Sequence, residues 1–139
     1  MRGVKGERFL KTIITKYNEV ESGKSEKLIN DALQELSKEN KVVSISFHNA
    51  GFKPLNLICN IWYEQGASGD KHTRFIKTVS MTINEINENN SIIEDKVNTA
   101  VKNIIENGGK IINFIPHNFG LSSVLVLYDI IYEAEKPVE

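Results

Sequence analysis

The feature that most constrains this 139-residue chain is an internal repeat. The stretch Arg-Phe-Leu-Lys-Thr, which begins at Arg8, returns as Arg-Phe-Ile-Lys-Thr from Arg74. The turn sequence His-Asn-Ala-Gly, which begins at His48, returns as His-Asn-Phe-Gly from His117. A repeat in this order indicates a duplicated supersecondary unit. The aligned segments are 8–20 with 74–86, 29–33 with 97–101, and 41–64 with 110–133.

The repeat predicts two tandem units with a short connection. The predicted boundaries are a first unit at 1–64, a linker at 65–72, a second unit at 73–135 and a tail at 136–139. Units of this size bury only a modest share of their surface when they fold alone. We therefore expect the two units to share a core or a continuous sheet.

Composition excludes several classes of protein. Hydrophobic residues make up 40% of the chain, charged residues make up 25%, and the net charge is −1. A near-neutral charge does not favour electrostatic binding of DNA or RNA. No apolar run approaches the roughly 20 residues of a membrane span. The single cysteine, Cys59, excludes an internal disulfide framework, and together these features predict a cytoplasmic protein.

Each unit has the hydrophobic pattern of a β-α-β-β arrangement. In the first unit, period-two alternation predicts strands, and apolar spacing from Leu28 to Leu36 predicts an amphipathic helix capped by Ser22 or Ser25. In the second unit, Ser91 and Glu94 have the spacing of a capping box. The fold class is therefore α+β, with two antiparallel sheets, one helix on each, forming a pseudo-dimer. Predicted segments of the first unit are strands at 8–17, 41–48 and 55–64, a helix at 25–38, and polar connections at 18–24 and 49–54.

The last strand of the second unit is apolar on both faces, with Leu125 and Leu127 on one face and Val126 and Ile130 on the other. One helix covers only one face of a three-stranded sheet. The other face must meet the first unit or another chain. We therefore expect a homo-oligomer.

The element order, the helix phrase Ile29-Asn30 and the strand ending Ile61-Trp62-Tyr63-Glu64 carry two resemblances. The unit resembles the dodecin fold, whose members are small oligomeric proteins that hold flavin between subunits. It also looks like small bacterial proteins labelled sporulation-related. Flavin stacking in dodecins uses a tryptophan in the middle strand, and residues 42–47 and 111–115 contain none.

The His-Asn-x-Gly turns are the leading candidate ligand site. Glycine supplies positive φ and asparagine can form an Asx-turn, so a purely structural role explains both residue types. Imidazoles titrate near neutrality and can contact phosphate, either in one shared pocket or in two equivalent ones. Arginines on the first strands can grip an anion, although a solvated sheet face explains them equally well. The candidate ligand-binding residues are Arg8, Arg74, His48, Asn49, Gly51, Phe52, Trp62, His117, Asn118, Phe119 and Gly120.

Two aromatic residues break the repeat, because Trp62 and Phe52 align with Ile131 and Leu121. An aromatic ring can stack a base, although packing in a core or interface is the commoner role. Cys59 lies between apolar residues and is expected to be an inert buried thiol. The three histidines have no metal-ligand spacing, and no catalytic motif is present.

These patterns favour a non-enzymatic protein without a cofactor that encloses a small anionic ligand of nucleotide type. A phage or bacterial sponge for a nucleotide signal, and hence an anti-defence viral protein, fits the size and the repeated polar loops. One alternative is an interaction or assembly module that uses an exposed apolar sheet face. A further alternative is flavin storage as in dodecins, and an enzyme is the least favoured class.

Overall fold

A computed structural model describes residues 6–51, 55–66, 73–119 and 125–139. Both units follow the same order of elements along the chain. The first unit consists of β1 (Arg8–Lys16), α1 (Tyr17–Ser22), α2 (Lys24–Leu36), β2 (Asn40–Ala50) and β3 (Asn56–Gln65). The second unit consists of β4 (Thr73–Thr82), α3 (Ile83–Glu88), α4 (Ile92–Glu106), β5 (Lys110–Phe119) and β6 (Leu125–Ala134).

Each unit forms its own three-stranded antiparallel sheet. The strand order is β1-β3-β2 in the first sheet and β4-β6-β5 in the second. The last strand of each unit is therefore central, and the first strand lies at an edge. The predicted α+β class with two antiparallel sheets is confirmed.

The polar segment 18–24 was predicted as a connection, and that prediction is wrong. It forms most of α1, which ends at Gly23 with a φ of 87°. A left-handed residue closes one helix here and opens the next, and glycine adopts this conformation without a side-chain clash. In the second unit α3 begins with a capping box, in which the Thr82 hydroxyl accepts from the Glu85 amide and the Glu85 carboxylate accepts from the Thr82 amide.

The predicted caps of the long helices are also wrong. Ser91 precedes α4 but its side chain makes no capping hydrogen bond. Ser25 lies inside α2, where its buried hydroxyl is 2.8 Å from the hydroxyl of Thr15 on β1. This contact fastens the helix to its own sheet. Gly108, after α4, has a φ of 84°, as expected for a glycine that closes a helix.

A β-bulge shifts the side-chain pattern of β2. The pairing with β3 slips between Val42 and Ser44, so Val42 and Ile45 both point into the core while Val43 stands at the bulge. The same slip occurs in β5 between Ile111 and Asn113. The period-two alternation of the sequence places Val43 on the same face as Ile45, and that prediction is wrong because a bulge adds one residue to the strand.

The two sheets pack asymmetrically. The face of the first sheet that carries α2, here called the inner face, lies against the second sheet. Its Phe47 ring stacks on His117, and its Leu57 packs with Leu125 and Leu127 of β6. The opposite face of the first sheet, here called the outer face, is not covered by any described residue of the second unit. The outer face consists of Leu10, Thr12, Ile14, Ser44, Ser46, His48, Ile58, Asn60 and Trp62.

Both faces of β6 are buried. Leu127 and Ile131 on one face lie against the first unit, while Ile130 and Tyr132 on the other lie beneath α4. The prediction that the face left uncovered by its own helix must meet another unit is confirmed for this strand. A single core thus extends across both units. It also includes Val138, whose amide donates to the Tyr132 hydroxyl at 2.7 Å.

Candidate functional site

The contact between the units is built on an edge strand. The side chain of Asn30 on α2 donates to the carbonyl of Ile76 at 2.9 Å and accepts from the Ile76 amide at 2.8 Å. One turn earlier, the carboxylate of Glu26 accepts from the Thr78 amide at 2.6 Å. Residues four apart on a helix thus satisfy backbone groups two apart on β4, as a neighbouring strand would do.

An ion pair adjoins this contact. Lys77 Nζ lies 3.5 Å from the Glu26 carboxylate, and both side chains are about one-fifth exposed. Burial raises the pKa of Glu26 above its ordinary value of 4.5, and the nearby Asp129 charge acts in the same direction. The Thr78 amide and Lys77 act against that rise, because both favour the ionised carboxylate.

His117 belongs to the buried part of this interface. Its Nε2 lies 2.5 Å from a carboxylate oxygen of Asp129, and the other carboxylate oxygen accepts from the Thr78 hydroxyl. Asp129 is fully buried, and the His117 side chain is only 13% exposed. Phe47 covers the imidazole, with ring centroids 5.1 Å apart. His117 therefore fixes the packing of the two units, and the interface leaves little of it for a ligand.

His48, its repeat equivalent, has a different environment. It lies exposed on the outer face, and its Nδ1 accepts from the side-chain amide of Asn60 at 2.8 Å. With Nδ1 as the acceptor, Nε2 carries the ring proton of the neutral form. The expectation of one shared pocket or two equivalent pockets is wrong, because the second unit faces the side of the first sheet opposite to His48.

The paired asparagines join the last residues of β2 and β5. The side-chain amide of Asn49 donates to the backbone carbonyl of Asn118 at 2.6 Å, so Asn49 bridges the units instead of closing a local Asx-turn. Gly51 has a φ of 90°, which confirms the prediction that this glycine supplies a positive φ. Phe52 and Gly120 lie outside the described residues, and Phe119 is described only through its backbone, which pairs with Leu125.

Both predicted arginines lie next to the glutamate that ends the central strand. Arg8 lies 3.5 Å from Glu64 and is half exposed, whereas Arg74 lies 3.8 Å from Glu133. Arg74 also donates to the carbonyl of Val43 at 2.7 Å, across the unit boundary. Arg74 thus has a partner in the other unit, whereas about half of the Arg8 side chain is exposed to solvent.

The outer face carries three of the exposed large apolar side chains of the first unit. Leu10 is 55% exposed, Ile14 is 60% exposed and Trp62 is 39% exposed. We call these three residues the apolar triad. Ser44 of β2 pairs with Trp62, and Ser44, Ser46 and His48 of β2 together with Asn60 of β3 form a polar row on the same face. The outer face therefore combines one exposed aromatic ring with a line of hydrogen-bonding groups.

Cys59 faces the interior, as expected. Burial and the nearby charge of Asp129 raise its pKa to about 12, so the thiol is protonated at neutral pH. A protonated, fully buried thiol is a poor nucleophile. The prediction of an inert cysteine is consistent with this environment.

Sequence reasoning marked Arg74, His117 and Asn49 but missed three other residues of the interface, Glu26, Asn30 and Asp129. Glu26 and Asn30 each have an identical partner in the repeat, at Glu94 and Asn98, and this match was a usable signal. Asp129 stands alone in an otherwise apolar strand, which signals a buried polar contact.

Across the described segments, no group of three or more histidine, cysteine, aspartate or glutamate side chains is arranged to hold a metal ion. None of the helices in those segments is long and apolar enough to span a bilayer. Comparison with known protein families, with curated proteins and with solved structures gave no match to this chain.

Proposed function

We propose that this chain is a non-enzymatic interaction module and that the outer face of its first sheet is the binding surface. The observation that carries the proposal is the apolar triad on a sheet face that the second unit leaves uncovered. The corresponding face of the second sheet is buried, with Ile76, Leu127 and Ile131 at most 4% exposed. Large exposed apolar side chains grouped on one face are typical of protein interfaces.

The magnitude of the apolar contribution indicates an extended partner. Full burial of one such side chain contributes roughly 1.5–3 kcal/mol, and because the three are only 39–60% exposed, covering them contributes about 2–5 kcal/mol in total. Association of two proteins costs about 4–15 kcal/mol in lost freedom. The triad alone therefore does not secure a stable complex. The partner must also use the polar row or the free edge of β1.

The proposal is tested by capture with tagged protein from expressing cells. Leu10→Glu places a charge in the triad and is expected to remove the captured partners. Glu35→Lys, at an α2 side chain that is 76% exposed, is the matched control and should retain them. Equal capture by the wild type and by Leu10→Glu would contradict the proposal.

A nucleotide-type ligand is the second candidate, and the position of Trp62 next to the polar row favours it. The indole can stack a base, while His48 Nε2 and the serine hydroxyls can donate to a phosphate. Such a ligand would make the chain a sequestering protein. The predicted link to a nucleotide signal of a phage or bacterium belongs to this second candidate.

Trp62 is the only tryptophan of the chain, so its fluorescence reports directly on this face. The wild type should be titrated with linear nucleotides, cyclic nucleotides and flavin. Binding predicts quenching of the Trp62 emission, and at about 100 times the dissociation constant it adds roughly 2.7 kcal/mol of stability. His48→Ala should weaken the effect and Glu35→Lys should not. Unchanged emission with every ligand would exclude this candidate.

A further inference from the structure

The contact between the units is made once within the chain, although the repeat encodes it twice. The repeat alignment, continued along the helix without a gap, pairs Glu26 and Asn30 of α2 with Glu94 and Asn98 of α4. The alignment likewise pairs β4, the strand whose backbone α2 contacts, with β1. Yet α4 packs against its own sheet, and Glu94 and Asn98 are exposed.

The repeat equivalents of the contact residues retain the same side-chain types and are exposed. Lys11 on β1 is the repeat equivalent of Lys77, and it is exposed just as Glu94 is. Arg8 is the equivalent of Arg74, which reaches the carbonyl at the β2 bulge. The β5 strand has a bulge at the matching place, after Ile111. An ion pair, a backbone-capping asparagine and an arginine are thus all available a second time.

The apolar side chains show the same difference between used and unused positions. Leu10 is 55% exposed where its equivalent Ile76 is fully buried, and Trp62 is exposed where Ile131 is buried. On the other side, Phe114 of β5 is 43% exposed where its equivalent Ile45 is buried against the second sheet. The first unit thus exposes the surface equivalent to the one that receives α2, which is β1 with the outer face. The second unit exposes the surface equivalent to the one that carries α2, which is α4 with the Phe114 face of its sheet.

We infer that a second copy of this chain occupies the outer face, with its α4 on β1 in the way that α2 lies on β4. Asn98 of one copy caps the backbone of Leu10 in the next, and Glu94 pairs with Lys11. The apolar triad is then covered by the face of the second sheet that carries Phe114. This inference rests on the proposed binding role of the outer face and names its partner.

The resulting interface is heterologous, because the two surfaces that meet are different. A heterologous contact leaves one free surface of each kind at the ends, so further copies add until a ring closes or a filament grows. The same contact covers His48 and Trp62, and a nucleotide on the outer face competes with it. If copies assemble in this way, the apparent affinity of the outer face for a nucleotide is expected to fall as the protein concentration rises.

A charge exchange tests the geometry. Glu94→Lys places a lysine opposite Lys11 of the next copy, and Lys11→Glu places a glutamate opposite Glu94. Each variant alone is expected to associate at least about tenfold more weakly than the wild type, because like charges meet at every contact. Mixing the two variants restores opposite charges at every contact between unlike chains. Glu35→Lys is the control that leaves association unchanged.

Association is measured by sedimentation velocity over a concentration series, with the urea midpoint of each dilute variant as the check on folding. Assembly of the wild type, loss in each single variant and recovery on mixing support the inference. A wild type that stays monomeric up to its solubility limit overturns it, as does an assembly that neither exchange weakens. Those two results leave the Leu10-dependent capture of other proteins intact, so they are distinguishable from failure of the proposed function.

Discussion

Replacement of Asn30 by alanine is expected to cost far more stability than the same replacement at Asn98. Asn30 is 5% exposed and makes two hydrogen bonds, of 2.9 and 2.8 Å, to the backbone of Ile76. A buried backbone group that loses its partner costs roughly 1–3 kcal/mol. Loss of both partners is expected to lower the free energy of unfolding by about 2–5 kcal/mol.

The equivalent Asn98→Ala change is the internal control. Both asparagines lie inside a helix, so the gain in helix propensity on mutation to alanine is common to both. Asn98 is exposed, and its replacement is expected to change stability by no more than about 0.5 kcal/mol. Urea unfolding followed by circular dichroism at submicromolar concentration measures both values without a contribution from association. Equal losses for the two variants would refute the assignment of Asn30 as the cap of β4.

Three further outcomes are expected. His117→Ala should lower the unfolding free energy by about 1–3 kcal/mol in urea titrations, whereas the exposed His48→Ala should leave it nearly unchanged, and the reverse order would be inconsistent with the buried contact. Cys59 should resist a thiol reagent at pH 8 and react only after unfolding, since burial raises its pKa to about 12; rapid labelling of native protein would show otherwise. Because the folded pKa of Glu26 is raised, its stabilising contribution is present at acidic pH and is lost as pH rises above 4.5 through that raised value. The free energy of unfolding of the Glu26→Gln variant should therefore rise relative to that of the wild type over that pH range. Parallel pH profiles of stability for the two proteins would argue against a raised pKa of Glu26.

Local patterns of the sequence predicted the secondary structure better than the way the units meet. Period-two alternation and the helical stripe depend on near neighbours, so strands such as β3 and the helix α2 were found within a residue or two. The short helices were missed because their polar composition is also typical of a connection. Their signal was local nevertheless, since Thr82 and Glu85 have capping-box spacing.

The candidate site was predicted only in part, because the exposure of its residues depends on how the two units pack against each other. Repetition marked His48 and His117 as equivalent, but the units pack asymmetrically, so one imidazole is exposed and the other is buried on Asp129. No pattern within one unit contains that information. The mismatch of Trp62 with Ile131 was the best sequence signal, because it separates a free face from a covered one.

The α2–β4 contact also bears on domain exchange between chains. The two units belong to one chain, and a covalent link of this kind acts as a local concentration on the order of millimolar for the contact of α2 with β4. The same helix can cap β4 of another chain through the same hydrogen bonds, so a tether too short to span the distance would turn a closed chain into exchanged pairs. The covalent link between the units therefore favours the first contact within one chain over the same contact between two chains.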